Sequence, residues 1–254
     1  MDPQLVHALS RLTPQIEAAL ESHFPPQRGA LGECMRYATF SGGRRMRPVL
    51  CLLGADLCGV QGKRALPLAA AVEFLHTASL IYDDLPAMDN AAHRRGQPPA
   101  HAKYSQGVAL LAGLSLVSHA FSLFAPYPAL AQLASRCVGE MSSGQAIDLN
   151  GGNRSPQHYL KTTALFRLAL TAAGTACDAE SARLQALEAF ATHFGTAYQL
   201  MDDADDEGAG QLAVQSHTEL ALALGALQPF ADDSAAHTLC EYARQLLQFV
   251  AVKP

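Results

Sequence analysis

This sequence has no tryptophan, only four lysines (Lys63, Lys103, Lys161 and Lys253) and few charges of any kind, 16% of its 254 residues. It also lacks a basic excess: 18 Lys and Arg stand against 23 Asp and Glu, for a formal charge of -5. A non-specific binder of nucleic acid shows the opposite balance, so no nucleic-acid partner is expected. The six cysteines, at 34, 51, 58, 137, 177 and 240, form no CxxC pair and no Cys/His group at zinc spacing. Scattered thiols suit a reducing compartment, and a cytoplasmic location is expected. The start, MDPQLVHALSRL, lacks the basic-then-apolar layout of a signal peptide. Apolar runs such as Val108 to Leu116 fall short of the roughly 20 residues that cross a bilayer, so no stable membrane insertion is expected.

Strand patterns are missing too. No stretch alternates apolar and polar residues, and β-branched residues are sparse. Ala and Leu abound instead, with apolar spacings of three and four that predict helices. Breaks fall at Phe24 to Pro26, Ser41 to Gly43, Gly96 to Pro99, Pro126 to Pro128, Gly151 to Pro156 and Gly208 to Gly210. The reading is all-α: one domain over residues 1–254, a bundle of about ten helices around a central cavity. The stretch Leu66 to Leu85 is apolar nearly all round, which places that helix at the centre.

The acidic residues that are present gather in two knots. The later one reads Gln199-Leu-Met-Asp202-Asp203-Ala-Asp205-Asp206. On a helix Asp202 and Asp206 share a face, with Gln199 one turn earlier. Like charges at that spacing repel, and a hard divalent cation such as Mg²⁺, which takes oxygen ligands and bridges carboxylates to phosphates, would offset them. A solvated acidic helix end is the plainer alternative. In the earlier knot, Asp83 and Asp84 end the apolar stretch Phe74 to Tyr82. Buried carboxylates need compensation by several kcal/mol. Six residues separate Asp83 from Asp89, off register for a straight helix, so a kink or bulge near Pro86 must return Asp89 if the three act together. A helix end followed by an acidic turn is the alternative here.

Basic groups flank these knots. Ser41-Gly42-Gly43-Arg44-Arg45-Met46-Arg47-Pro48 is a glycine-rich turn carrying three guanidiniums, suited to phosphate, or else a solvated helix start. His93-Arg94-Arg95-Gly96 follows the first knot, and His76 lies two turns before Asp83. Lys161 sits in an apolar helical stretch, where it either snorkels or points inward.

Taken together these stretches resemble the trans-prenyl diphosphate synthases, from about Gly42 to Asp206. Asp83-Asp84-Leu-Pro-Ala-Met-Asp89 looks like the family's first aspartate-rich motif in its bacterial form, and Asp202 to Asp206 like the second. Gly42 to Pro48 resembles GGKRxRP, with Arg44 in place of lysine. Arg94-Arg95-Gly96, Gly144-Gln145-Ala-Ile-Asp148-Leu149, Lys161-Thr162 and Tyr198-Gln199 follow in family order. The text around Leu75 to Arg95 is most similar to bacterial geranylgeranyl diphosphate synthases.

The resemblance implies an isoprenoid-synthase bundle that joins isopentenyl diphosphate head-to-tail to an allylic diphosphate with Mg²⁺. It implies that Asp83, Asp89, Asp202 and Asp206 bind the metal and that Arg94 contacts the allylic diphosphate. Gly43, Arg44, Arg47, His76 and Arg95 would hold isopentenyl diphosphate. Lys161, Thr162 and Gln199 would line the reacting centre, with Asp84 and Asp203 in the catalytic set. A homodimer through a helical face is implied as well.

Product length follows from bulk. Position 78, five before Asp83, lies along the expected path of the growing tail, and Ala78 and Ser79 provide no aromatic floor. A C20 product, geranylgeranyl diphosphate, is favoured over C15 farnesyl diphosphate. The part from about 208 to 254 diverges from the family, which continues after its second motif with lysines; here the text is Glu207-Gly-Ala-Gly-Gln-Leu-Ala-Val-Gln-Ser-His217. His217 or Arg244 are the candidate substitutes. Weak activity, a non-catalytic subunit that needs a synthase partner, and a terpene cyclase of the same all-α class remain alternatives at this point.

Overall fold

In the computed structural model, which describes residues 2–151, 159–207 and 210–250 and for 205–207 the backbone alone, the chain is built from helices. They are α1 (Pro3–Ser22), α2 (Gly29–Phe40), α3 (Met46–Leu57), α4 (Gly62–Asp83), the short α5 (Ala100–Lys103), α6 (Gln106–Phe124), α7 (Pro128–Leu149), α8 (Leu160–Ala176), α9 (Ser181–Glu207), α10 (Gly210–Ala226) and α11 (Ser234–Val250). A 3-10 turn, Gln228–Phe230, precedes α11, and no strand occurs among the described residues. The predicted breaks after α1, α2, α4 and α6 fall where expected. Those at Gly151 to Pro156 and Gly208 to Gly210 lie largely outside the described residues.

Local chemistry explains the starts. The Asp2 carboxylate accepts from the Leu5 N–H at 3.0 Å, with Pro3 at the first helical position of α1. The Ser105 hydroxyl accepts from the Val108 N–H at 3.2 Å and opens α6. Packing does the rest. α4 lies at the centre, against α1, α2, α3, α6 and α8, and α8 in turn packs on α3, α7 and α9. Leu68 to Val72, Phe74, Leu75, Ala78 and Ile81 of α4 are all buried, as its all-round apolar text predicts. The rings of Phe74, Phe124, Phe166, Phe190 and Phe194 are fully buried; each such side chain contributes about 1.5–3 kcal/mol of burial energy.

One expectation needs correction. α4 and α6, at 22 and 19 residues, are long and apolar enough by length and composition to cross a bilayer. The run Val108 to Leu116 understated α6 because apolar residues continue to Phe124. α4 is mostly buried within the bundle, whereas α6 exposes Leu110, Leu111 and Leu114.

Candidate active site

The first acidic knot forms where α4 ends. Asp84 caps the helix, its N–H bonded to the Leu80 carbonyl at 3.1 Å, and the chain then folds back. The Asp89 N–H donates to the Asp83 carbonyl at 2.9 Å, and the Asn90 N–H to Leu85 at 3.1 Å. Asp89 is therefore returned by a turn closed on the helix end, rather than by a kink inside the helix. The two neighbouring aspartates divide their tasks. Asp84 is 3% exposed and engaged by Arg94, whose Nε donates to its two oxygens at 2.9 and 3.2 Å while Nη2 adds a third bond. That bonding holds the Arg94 guanidinium above its ordinary pKa. Asp83 keeps no such partner among the described residues. Burial, and next the charge of Asp89, push its carboxyl up to about 6; Arg94 and Lys161 offset this only in part.

The second knot sits on α9. Thr162 at the start of α8 donates its hydroxyl to Gln199 Oε1 at 2.6 Å, and Gln199 Nε2 donates to Asp203 Oδ1 at 2.8 Å. Gln199 is buried, and Asp202 and Asp203 are half-buried. Lys161, next in the chain to Thr162, forms an ion pair with Asp148 of α7. The side chain of Asp206, one of the four expected metal ligands, lies outside the described residues.

The guanidiniums sort themselves by partner. Arg45, in the left-handed region at φ 49°, turns inward. Its Nε donates to Glu17 Oε1 at 2.7 Å and its Nη1 to the buried Glu73 at 3.1 Å. Arg47 Nη1 meets His76 Nε2 at 3.1 Å, with the guanidinium 5.0 Å from the centre of the Phe166 ring. Arg95 Nη1 donates to the Gly42 carbonyl and its guanidinium lies against Gly43, whose φ of 121° favours glycine there. Arg47 and Arg95 have no carboxylate partner among the described residues, and burial lowers the pKa of both. Burial first, then Arg47, Arg95, Arg94 and Arg45, hold His76 well below its ordinary pKa. This half-satisfied basic cluster is one an anion would complete.

The structure thus brings Gly43, Arg47, His76 and Arg95 together beside the first knot, and Thr162, Gln199 and Asp203 together at the second. Arg44 stands apart: it is exposed, with its guanidinium 4.8 Å from the Phe249 ring of α11. Arg244 is exposed and bonded to Glu241, and His217 is exposed. A cleft of about 720 Å³ lies elsewhere, between the starts of α1 and α11 (Gln4, Arg11, Asp56, Asp233), away from this chemistry.

Two contributing residues escaped the sequence reading. Asp148 belongs to a quoted motif but had no role, and its partner Lys161 becomes visible only when α7 meets α8. Glu73 left a signal, as the one acidic residue between Leu66 and Tyr82. Glu73 and His76 also stand at the Glu-x-x-His spacing that di-iron bundles use in pairs; both face guanidiniums here, which excludes that use.

No three His, Cys, Asp or Glu side chains converge as a metal-binding group among the described residues. The donors that flank the site, Asp83, Asp89 and Asp202, still fit Mg²⁺. They are all hard oxygen ligands, Asp83 carries charge that its surroundings leave uncompensated, and Mg²⁺ typically takes one or two carboxylates plus phosphate and water.

Comparison with known proteins identifies the family and the fold. The polyprenyl synthetase family model matches residues 28–211. The chain is 38% identical over 220 residues to a geranylgeranyl diphosphate synthase of Pantoea ananas, a match that covers 78% of this chain and 73% of that protein. It is 40% identical over 192 residues to a geranylgeranyl diphosphate synthase of Pseudescherichia vulneris, covering 68% of this chain and 62% of the relative. Among solved structures, a geranyltransferase from Legionella pneumophila superposes with a TM-score of 0.88 at 28% identity, covering 96% of this chain and 97% of that one.

Proposed function

The chain belongs to the polyprenyl synthetase family, a family of prenyltransferases, and on that premise we propose that it joins isopentenyl diphosphate head-to-tail to an allylic diphosphate. The observation that carries this reading is an anion-seeking cluster, Arg47, His76 and Arg95, two turns along α4 from Asp83 and Asp89, whose negative charge calls for a cation, with the Arg94 charge acting on both His76 and Asp83. Two diphosphates need two differently built grips, and both kinds are present.

In this reading Asp83, Asp89, Asp202 and Asp206 hold Mg²⁺, which when bound offsets the charge of the departing diphosphate. Arg94, pinned by Asp84, holds its guanidinium beside Asp83 and Asp89, where it adds positive charge to the allylic diphosphate. Lys161 adds a further cation near Asp83. The C–O bond of the allylic substrate then ionises, and the isopentenyl double bond, held by Arg47, Arg95 and neutral His76, attacks the allylic cation. A proton leaves to the released diphosphate. The aromatic wall of Phe166, Phe194 and Tyr198, with centroids 5.2–5.5 Å apart around Phe166, keeps water from that cation.

The favoured product is geranylgeranyl diphosphate. Ala78 is fully buried and Ser79 half-buried on α4, five and four residues before Asp83, and neither brings an aromatic ring to the expected path of the growing tail. Both relatives described above are named for that product. Farnesyl diphosphate is the alternative. The lysines absent after the second motif favour one further reading, a weakly active chain that relies on a partner subunit. A homodimer is proposed through α6, whose exposed Leu110, Leu111 and Leu114 form an apolar face. The cytoplasm, where free thiols persist, is the proposed location.

The test is incubation of the purified protein with Mg²⁺, labelled isopentenyl diphosphate and C5, C10 or C15 allylic diphosphates, with products separated by length. Turnover that disappears on chelation and in Asp83→Ala supports the reaction. A folded protein inert toward every starter refutes it.

A further inference from the structure

α7 and α8 approach one another at Gly144, which is buried within α7. A Cβ at this position would overlap the backbone nitrogen of Lys161 and lie 3.0 Å from its Cα. The obstacle is the main chain of the neighbouring helix, not the end of a flexible side chain, so it cannot step aside cheaply. Glycine is otherwise among the worst residues for a helix interior. One turn further along the same face, Asp148 ion-pairs with Lys161.

The first turn of α8 carries two separate couplings. Lys161 lies close enough to Asp83 to lower that carboxyl's pKa, which links α8 to the end of α4. Thr162 bonds Gln199, and Gln199 bonds Asp203, which links the same turn to α9. One turn of helix therefore stands between both acidic segments. The basic cluster hangs on other elements, Arg47 on α3, His76 on α4 and Arg95 in the loop after α4, and Arg47 meets α8 at Phe166, more than a turn beyond Lys161.

We propose that Gly144 is a positioning residue: it admits the first turn of α8 against α7, with Asp148 anchoring Lys161, and so sets the spacing of the two acidic segments across which the allylic diphosphate is gripped. The proposal rests on the synthase reading given above. Its consequence is a division between substrates. A side chain at 144 shifts Lys161 and Thr162 but leaves the isopentenyl grip in place.

The test uses the full chain carrying Gly144→Ala. Calorimetry measures binding of a non-ionising allylic thiolodiphosphate with Mg²⁺ and, separately, of isopentenyl diphosphate. A misplacement of about 1 Å costs about 10²-fold in rate, so kcat should fall about 100-fold and the thiolodiphosphate should bind about tenfold more weakly. Isopentenyl diphosphate affinity should stay within about twofold, and the urea midpoint should fall only modestly, because the better helix propensity of alanine offsets part of the cost of the overlap. Unchanged binding of both ligands overturns the proposal, as does an equal loss of both with a lowered midpoint. Should Gly144→Ala fail to fold, Asp148→Asn decides, since Asp148 is about a third exposed. The same division at about threefold supports the proposal, in line with the loss of a partly exposed ion pair, and wild-type binding overturns it. A wild-type chain without turnover refutes the reaction alone, because the binding comparison still decides the role of Gly144. A wild-type chain that does not bind the thiolodiphosphate overturns the role itself.

Discussion

Arg47 Nη1 lies 3.1 Å from His76 Nε2, between α3 and α4. A guanidinium can only donate, so Nε2 must accept and the imidazole must be neutral. Burial, then the surrounding guanidiniums, hold His76 well below its ordinary pKa.

A pH dependence of stability follows. The unfolded chain takes up a proton on this histidine below about pH 6.5, while the folded chain does not. The stability that neutral His76 contributes is therefore complete above that pH and is lost as the pH falls, at up to about 1.4 kcal/mol per pH unit. Urea unfolding of wild type and His76→Gln at about pH 7.5 and about pH 5 checks this. The wild type should lose up to about 2 kcal/mol more than the variant between the two, and parallel losses would refute it.

Asp83 should show the opposite sign. Its carboxyl is raised to about 6 by burial and by Asp89. Below the unfolded value both states are protonated and the group contributes nothing. As the pH rises through about 4 to about 6 the unfolded chain ionises first, and the folded chain is penalised. In chelator above about pH 6, Asp83→Asn should therefore be more stable than wild type by about 1–3 kcal/mol, and by nothing near pH 3.5. The same variant should lose at least about 10²-fold in turnover, as removal of a principal electrostatic stabiliser does. Equal stabilities at neutral pH in chelator would show that Asp83 is not strained.

Arg45 and Glu73 form a buried pair extended by Glu17. Removing one member strands the other. Arg45→Met should cost about 3–5 kcal/mol in urea unfolding, while Arg45→Met with Glu73→Met should recover most of it. A double variant as unstable as the single would exclude a stranded charge as the cause.

Tail length is testable at Ala78, which is fully buried on α4 five residues before Asp83. Ala78→Phe should shift products from C20 toward C15 or shorter with little change in the first condensation. Extraction and chromatography of the products read this directly. An unchanged C20 product would place the floor on another helix. Overpacking is expected to cost about 1–3 kcal/mol, so the unfolding midpoint should be followed in parallel.

Legibility in the sequence differed by element. The all-α class and the central place of α4 follow from Ala/Leu content and from text apolar on every side, because a helix without a polar face has nowhere to go but the interior. Local turns were legible where glycine or proline set them, as at Ser41 to Gly43 and Pro126 to Pro128. The return of Asp89 was anticipated, but not its means. That a helix ends at Asp83 and closes through the Asp89 N–H depends on loop hydrogen bonds that no periodicity encodes.

Three adjacent arginines show the limit most plainly. In the text Arg44, Arg45 and Arg47 are equivalent guanidiniums on one turn. In the fold Arg45 takes a left-handed conformation and serves Glu17 and Glu73, Arg47 faces His76, and Arg44 leans on Phe249. The text determined by itself that the chain is helical, that its acidic and basic groups come in matched clusters, and which family it resembles, since these are properties of residue type and spacing. Only the tertiary structure decided which polar and charged groups are already satisfied, because a partner 28 or 37 residues away along the chain is set by how helices pack. Among the described residues, Asp83 and Asp89 on one side and Arg47 and Arg95 on the other are left without an oppositely charged ion-pair partner, and it is there that the proposed substrates would bind.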